Sequence, residues 1–97
     1  MSSPLIVVAI IEAKPETQAE TEAAIRAVVE PTRAEPGCVS YETTRDLKTV
    51  GRYVFVERWE SQAALDTHMR TPHLKAFGGA LKSLGAALQV ITLEPLG

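Results

Sequence analysis

Arg52-Tyr53-Val54-Phe55-Val56-Glu57-Arg58-Trp59-Glu60-Ser61-Gln62-Ala63-Ala64-Leu65 holds a strand and the start of a helix in one run. Tyr53, Phe55, Glu57 and Trp59 share one parity and Val54, Val56 and Arg58 the other, the two-residue period of a strand. Ser61 is a good N-cap, so a helix opens there and runs to about Arg70. Pro72 interrupts it. Beyond the proline, Leu74, Phe77, Leu81 and Leu84 recur at helical spacing, with Gly78, Gly79 and Gly85 loosening the piece. Glu57, Trp59, His68 and the His73 of Thr71-Pro72-His73 are thereby gathered near one end of one sheet. Such a layout suits a small-molecule pocket.

Upstream, Cys38 to Arg45 alternates as a second strand, with Val39, Tyr41 and Thr43 on one face and Ser40, Glu42 and Thr44 on the other. Asp46 to Gly51 is a polar hairpin connection, and Glu35-Pro36-Gly37 is a turn. A helix opens at Pro15-Glu16, where proline and acid suit a first turn. Ile25, Val28 and Val29 form its buried stripe. Pro31 lacks a backbone N–H, which predicts a kink or break. Pro4 to Ile11 and Leu88 to Leu93 are strands apolar at both parities, a pattern expected of strands covered on both faces.

The order β-α-β-β-α-β predicts an α+β, ferredoxin-like fold with an antiparallel sheet. Two helices cover one face only. The other face would leave several hundred Å² of apolar surface wet. At about 25 cal/mol per Å² that is many kcal/mol, more than a small domain can forgo. A homodimer with the open sheet faces packed together resolves the conflict.

The 97 residues make a single domain, 1–97, with one cysteine and a net charge of −2. Cys38 alone forms no disulfide and no Cys-rich zinc site, and a lone thiol fits a reducing compartment. Arg and Lys do not cluster, so nucleic acid is not an expected partner. Met1-Ser2-Ser3-Pro4 carries no basic segment, and no run approaches the ~20 apolar residues of a membrane span. A cytoplasmic protein is expected.

Glu35-Pro36-Gly37-Cys38-Val39-Ser40-Tyr41-Glu42, Phe55-Val56-Glu57-Arg58-Trp59-Glu60-Ser61, His68 and Thr71-Pro72-His73-Leu74 resemble, in order and spacing, the antibiotic biosynthesis monooxygenase (ABM) domain family, in particular its quinol monooxygenase branch. The resemblance spans essentially the whole chain. It implies a dimeric α/β barrel and chemistry without metal or organic cofactor, on a quinol or other hydroxylated aromatic with dioxygen. The heme-degrading branch is a poor match: its iron-ligating histidine falls at Gly78 here, and its first-strand asparagine at about Ala9. Fold alone does not select among the chemistries.

A cofactor-free oxygenase must deprotonate the hydroxyl, hold the ring and keep water from the radical pair. A phenol near pKa ~10 and a histidine near ~6.5 leave roughly 3–4 units to be supplied by the site. His68 is the candidate base or orienting donor, against an alternative of a structural histidine. Glu57 shares Trp59's parity and is the candidate acid behind it, through a Glu57–His68 hydrogen bond. Trp59, Tyr41 and Phe77 are candidate ring walls, though apolar residues at such spacing also serve as plain core. His73 either faces the pocket or caps the broken helix. His68 and His73 stand five apart across a proline, and no cysteine or acidic pair completes a metal set, so no metal is expected. Cys38, with no helix N-terminus beside it, is expected to be a packed thiol. Two other functions fit the same pattern: a non-catalytic dimer that binds aromatics or supports stress responses, and a cofactor-free isomerase or cyclase.

Overall fold

The computed structural model describes residues 4–97, so the reading of Met1 to Ser3 lies outside the described residues. Four strands, β1 (Leu5–Glu12), β2 (Cys38–Arg45), β3 (Arg52–Trp59) and β4 (Ala87–Leu93), form one sheet in the order β2-β3-β1-β4. Every neighbouring pair is antiparallel. Helices α1 (Gln18–Arg33), α2 (Gln62–Met69) and α3 (Pro72–Ser83) complete the ferredoxin-like α+β fold, with a 3₁₀ turn at Pro15–Thr17 leading into α1.

The register explains which face is covered. Val7, Ala9 and Ile11 of β1 lie beside Glu57, Phe55 and Tyr53 of β3, and all six are buried beneath the helices. The opposite parity, Ile6, Val8 and Ile10 with Val54 and Val56, is only partly covered. β1 is therefore covered by helices on one face of this chain and not on both. β4 is exposed on both faces, with Leu88 and Val90 each retaining about half of their surface. No helix among the described residues is long and apolar enough to cross a membrane.

Three local expectations need correction. Pro31 does not end α1, which continues to Arg33. The proline sits in the last turn on the exposed side, its lost donor costs one hydrogen bond to Ala27, and Ala34 still closes the helix on Glu30 at 3.1 Å. The buried stripe of α1 is Thr21, Ile25, Val28 and Thr32, while Val29 is half-buried. Val39 does not share Tyr41's inward face. The β2–β3 register shifts between Cys38 and Ser40, and Val39 is left 61% exposed. Such a bulge inserts a residue without a partner and resets the parity on either side.

Gly78 and Gly79 lie inside α3, which continues through both without a break. Gly85 ends the segment with φ +71°, the left-handed position that glycine adopts without strain.

Candidate functional site

His68 reaches the site from the last turn of α2. Ser61 starts that helix by accepting from Ala64 N at 3.1 Å. The helix then gives way to α3 across Thr71, whose hydroxyl donates to His68 O at 2.8 Å and accepts from Leu74 N at 3.3 Å. Pro72 occupies the first turn of α3, where its missing N–H costs nothing. This hydrogen-bonded junction brings the imidazoles of His68 and His73 together, centroids 6.2 Å apart.

Both imidazoles meet Glu35. His68 Nδ1 and His73 Nε2 each lie 2.7 Å from Glu35 Oε2. An ionised carboxylate only accepts, so both nitrogens carry protons in this arrangement. His68 Nε2 is left without a protein hydrogen bond among the described residues, and His68 lines the cavity described below. The Glu35 turn is held against α2 by close packing at Gly37. Gly37 has φ +87°, and a Cβ there would stand 2.5 Å from Ala64 Cβ. Glu60 N donates to Gly37 O at 2.8 Å, tying the same turn to the end of β3.

Glu57 does not bond His68. The expected Glu57–His68 pair is replaced by Trp59 Nε1 donating to Glu57 Oε1 at 2.9 Å, between residues of one strand face. Glu57 is buried, and desolvation pushes its carboxyl up from the ordinary range; the Trp59 N–H opposes this and the charge of Glu35 adds to it. Trp59 is fully buried, its ring 4.5 Å from that of His68 with a 33° tilt. It backs the imidazole rather than lining open space. Tyr41 meets His68 edge-on at 6.1 Å, and burial pushes its phenol up. The indole and phenol thus hold the imidazole plane in place. Thr32, also buried, has a hydroxyl that makes no hydrogen bond of ordinary geometry.

A cavity of about 350 Å³ lies between the sheet, α2 and α3. Val7, Ala9, Phe55, Phe77, Leu88 and Val90 supply its apolar walls, and Phe55 stacks on Phe77 at 5.9 Å. Tyr41, Glu57 and His68 are its buried polar groups, and Gln62, Asp66 and Lys75 are exposed at its rim. Of the residues expected at the site, Tyr41, Glu57, His68 and Phe77 border this space. Trp59 and His73 do not; each reaches it only through His68 or Glu35.

The acid that completes the site is Glu35, which the sequence offered only as part of a turn. The expectation of no metal rested on the lack of a cysteine or an acidic pair beside the two histidines and left Glu35 out of account; Glu35, His68 and His73 bring three ligand-type atoms within 4.8 Å of one another. Cys38 is a half-buried thiol pushed up by burial, with the carboxylates of Glu35 and Glu57 adding to the shift.

The profile of the family described as antibiotic biosynthesis monooxygenase matches residues 4–80. A Mycobacterium tuberculosis protein named "Putative monooxygenase Rv0793" is 38% identical over 97 residues, covering 99% of this chain and 95% of that one. The solved structure of Rv0793 superposes with a TM-score of 0.90 over 98% of this chain and 97% of that chain, at 33% identity. The Escherichia coli K12 protein named "Probable quinol monooxygenase YgiN" is 40% identical over 42 residues, 43% of this chain and 40% of that protein. A Synechocystis protein, sll1783, is 38% identical over 74 residues; the match takes in 76% of this chain and only 50% of the relative.

Proposed function

The chain belongs to the antibiotic biosynthesis monooxygenase family, and from that premise we propose that it oxidises a quinol or similar hydroxylated aromatic with dioxygen, without metal or organic cofactor, in the cytoplasm. The observation that carries this reading is the Glu35–His68 hydrogen bond at 2.7 Å. It fixes the proton on Nδ1 and leaves Nε2 as the basic nitrogen of an imidazole that borders an apolar cavity.

In this reading His68 Nε2 takes the substrate's hydroxyl proton, and Glu35 stabilises the imidazolium that forms. The electron-rich ring then passes one electron to dioxygen, and the radical pair recombines in a space walled by Phe55, Phe77 and Val90. The substrate supplies both electrons that carry the second oxygen atom to water. Glu57, held toward its neutral form by burial, donates a hydrogen bond to the substrate oxygen. The cavity volume sits at the small end of the roughly 300–1,000 Å³ usual for ligand pockets, which suits a compact ring system. Trp59 and His73 act here as positioning residues. The subunit pairs with a second copy through the helix-free sheet face.

Oxygen uptake with a panel of reduced naphthoquinols and anthrones tests the reading. His68→Ala is expected to lower the rate by about 10²–10⁴-fold. Wild type that never exceeds spontaneous autoxidation on any of them would overturn it. Turnover undiminished without oxygen would assign the same pocket to an isomerase or cyclase.

A further inference from the structure

Glu35, His68 and His73 form a cluster whose shape is more than a hydrogen-bond network needs. One carboxylate oxygen serves two imidazole nitrogens at 2.7 Å each, where a single acceptor on either ring would satisfy it. The donor set is two imidazoles and one carboxylate, the three-ligand combination of open zinc sites. We propose that this cluster is a binding site for a divalent metal of zinc type, and that the metal and the basic form of His68 exclude one another.

The geometry admits the ion once the three ligand atoms adjust to it. A tetrahedral metal about 2.0–2.1 Å from each ligand separates the ligands by roughly 3.3 Å. The N···O separations are 2.7 Å and all three ligand atoms lie within 4.8 Å of one another, so Glu35 Oε2 withdraws slightly and the ring nitrogens adjust to the ion as it enters. Glu35 stands on the turn after α1, where a small shift of its side chain disturbs no helix or strand. The Thr71 junction and Trp59 keep both imidazoles close to Glu35, so the ligands are gathered before an ion arrives. The His68 and Glu35 side chains are 3% and 9% exposed, while that of His73 is 24% exposed. His73 therefore provides the way in and leaves room for a water as fourth ligand.

The proton balance sets the consequence. To bind the ion, His68 gives up its Nδ1 proton and carries one on Nε2 instead; His73 likewise moves its proton from Nε2 to Nδ1. Each ring stays neutral and no net proton is lost. The His68 nitrogen that Glu35 leaves free, Nε2, changes from acceptor to donor, so a loaded subunit has no base there. This consequence rests on the proposed acid–base role of His68; the binding site itself does not.

The metal alone is the probe. Chelator-treated full-length chain is titrated with Zn²⁺ by calorimetry, and its Co²⁺ complex is examined by visible absorption. The chain has two histidines and one cysteine, so few other sites compete. One equivalent per chain is expected, with at least about 10-fold weaker binding in His73→Ala and in Glu35→Gln, and no change in Cys38→Ser. Substoichiometric binding overturns the site, as does wild-type affinity in both variants. If circular dichroism shows either variant unfolded, the wild-type cobalt spectrum decides. Tetrahedral or five-coordinate bands without sulfur charge transfer support the cluster, and sulfur charge transfer or an unchanged hexa-aqua spectrum overturns it. Oxygen uptake that falls with Zn²⁺ and returns with chelator supports the exclusion of metal and base. Uptake unaffected by stoichiometric bound zinc overturns that exclusion and leaves the binding result standing.

Discussion

Glu57 and Glu35 stand on either side of one imidazole-and-indole stack, and their surroundings assign them different work. Glu35 receives two ring nitrogens. Glu57 receives one indole N–H and is otherwise desolvated, so its folded-state pKa lies above the ordinary carboxylate value. The sign follows by linkage: the folded state holds this proton more tightly than the unfolded chain does. The stability that Glu57 contributes is full below the ordinary carboxylate range and is lost as pH rises through the raised value. Glu57→Gln keeps an oxygen for Trp59 Nε1 and removes the buried charge. Its urea midpoint should exceed that of wild type near neutrality, and the decline of wild type as pH rises above the ordinary carboxylate range should flatten. Equal slopes in the two proteins would mean that Glu57 is solvated. Tyr41, Trp59, His68 and Phe77 were legible as a group because strand parity and helical spacing put them on one side of the sheet. Glu35 was not legible, since its partners stand 33 and 38 residues away and the contact depends on Gly37 packing against Ala64.

Helix α1 is fastened to the hairpin of β2 and β3 by one carboxylate. Glu22 accepts from Arg45 of β2, from Tyr53 of β3 at 2.8 Å and from Arg26 of its own helix at 2.9 Å. Those bonds, Arg45 first, hold its pKa down to about 2 from 4.5. A depressed value works in the opposite sense to Glu57: its contribution is present above pH 4.5 and disappears as pH falls toward about 2. Glu22→Gln should therefore flatten the acid limb of the stability profile, read as the denaturation midpoint at successive pH values. Helix α3 offers a gain instead. A Cβ at Gly79 would meet nothing within 4 Å, and the residue is exposed in a regular helix. Gly79→Ala should stabilise by about 0.5–1 kcal/mol, seen as a Tm higher by several degrees. A lower Tm would show that this face is already in contact with something. Element order and type were readable because the apolar periods are clean. The α1 stripe was misread because two of its buried positions are threonines, Thr21 and Thr32, which apolar counting passes over. The bulge at Val39 depends on how β2 meets β3, which no alternation within β2 reveals.

At the scale of the whole molecule, the helix-free face of the sheet is the feature a single subunit leaves unresolved. Val56, Val8 and Ile91 form one row across β3, β1 and β4 by register, flanked by Ile6 paired with Leu93 and by Ile10 paired with Val54. Val56 and Leu93 still retain 38% and 41% of their surface. A contiguous apolar band of this kind exceeds what scattered surface residues require, and facing a second copy of itself would cover it. Sedimentation of wild type is expected to give twice the chain mass. Val56→Lys places a charge at the β3 end of the row, and burying it unpaired in a pair of subunits costs several kcal/mol. The dimer should weaken by about 100-fold or more, with the variant sedimenting as a single chain at micromolar concentration. Wild type that sediments as a monomer would leave this face to solvent and remove the reason for pairing. A variant that remains dimeric would move the interface elsewhere, and Leu88→Lys on the opposite parity of β4 would then locate it.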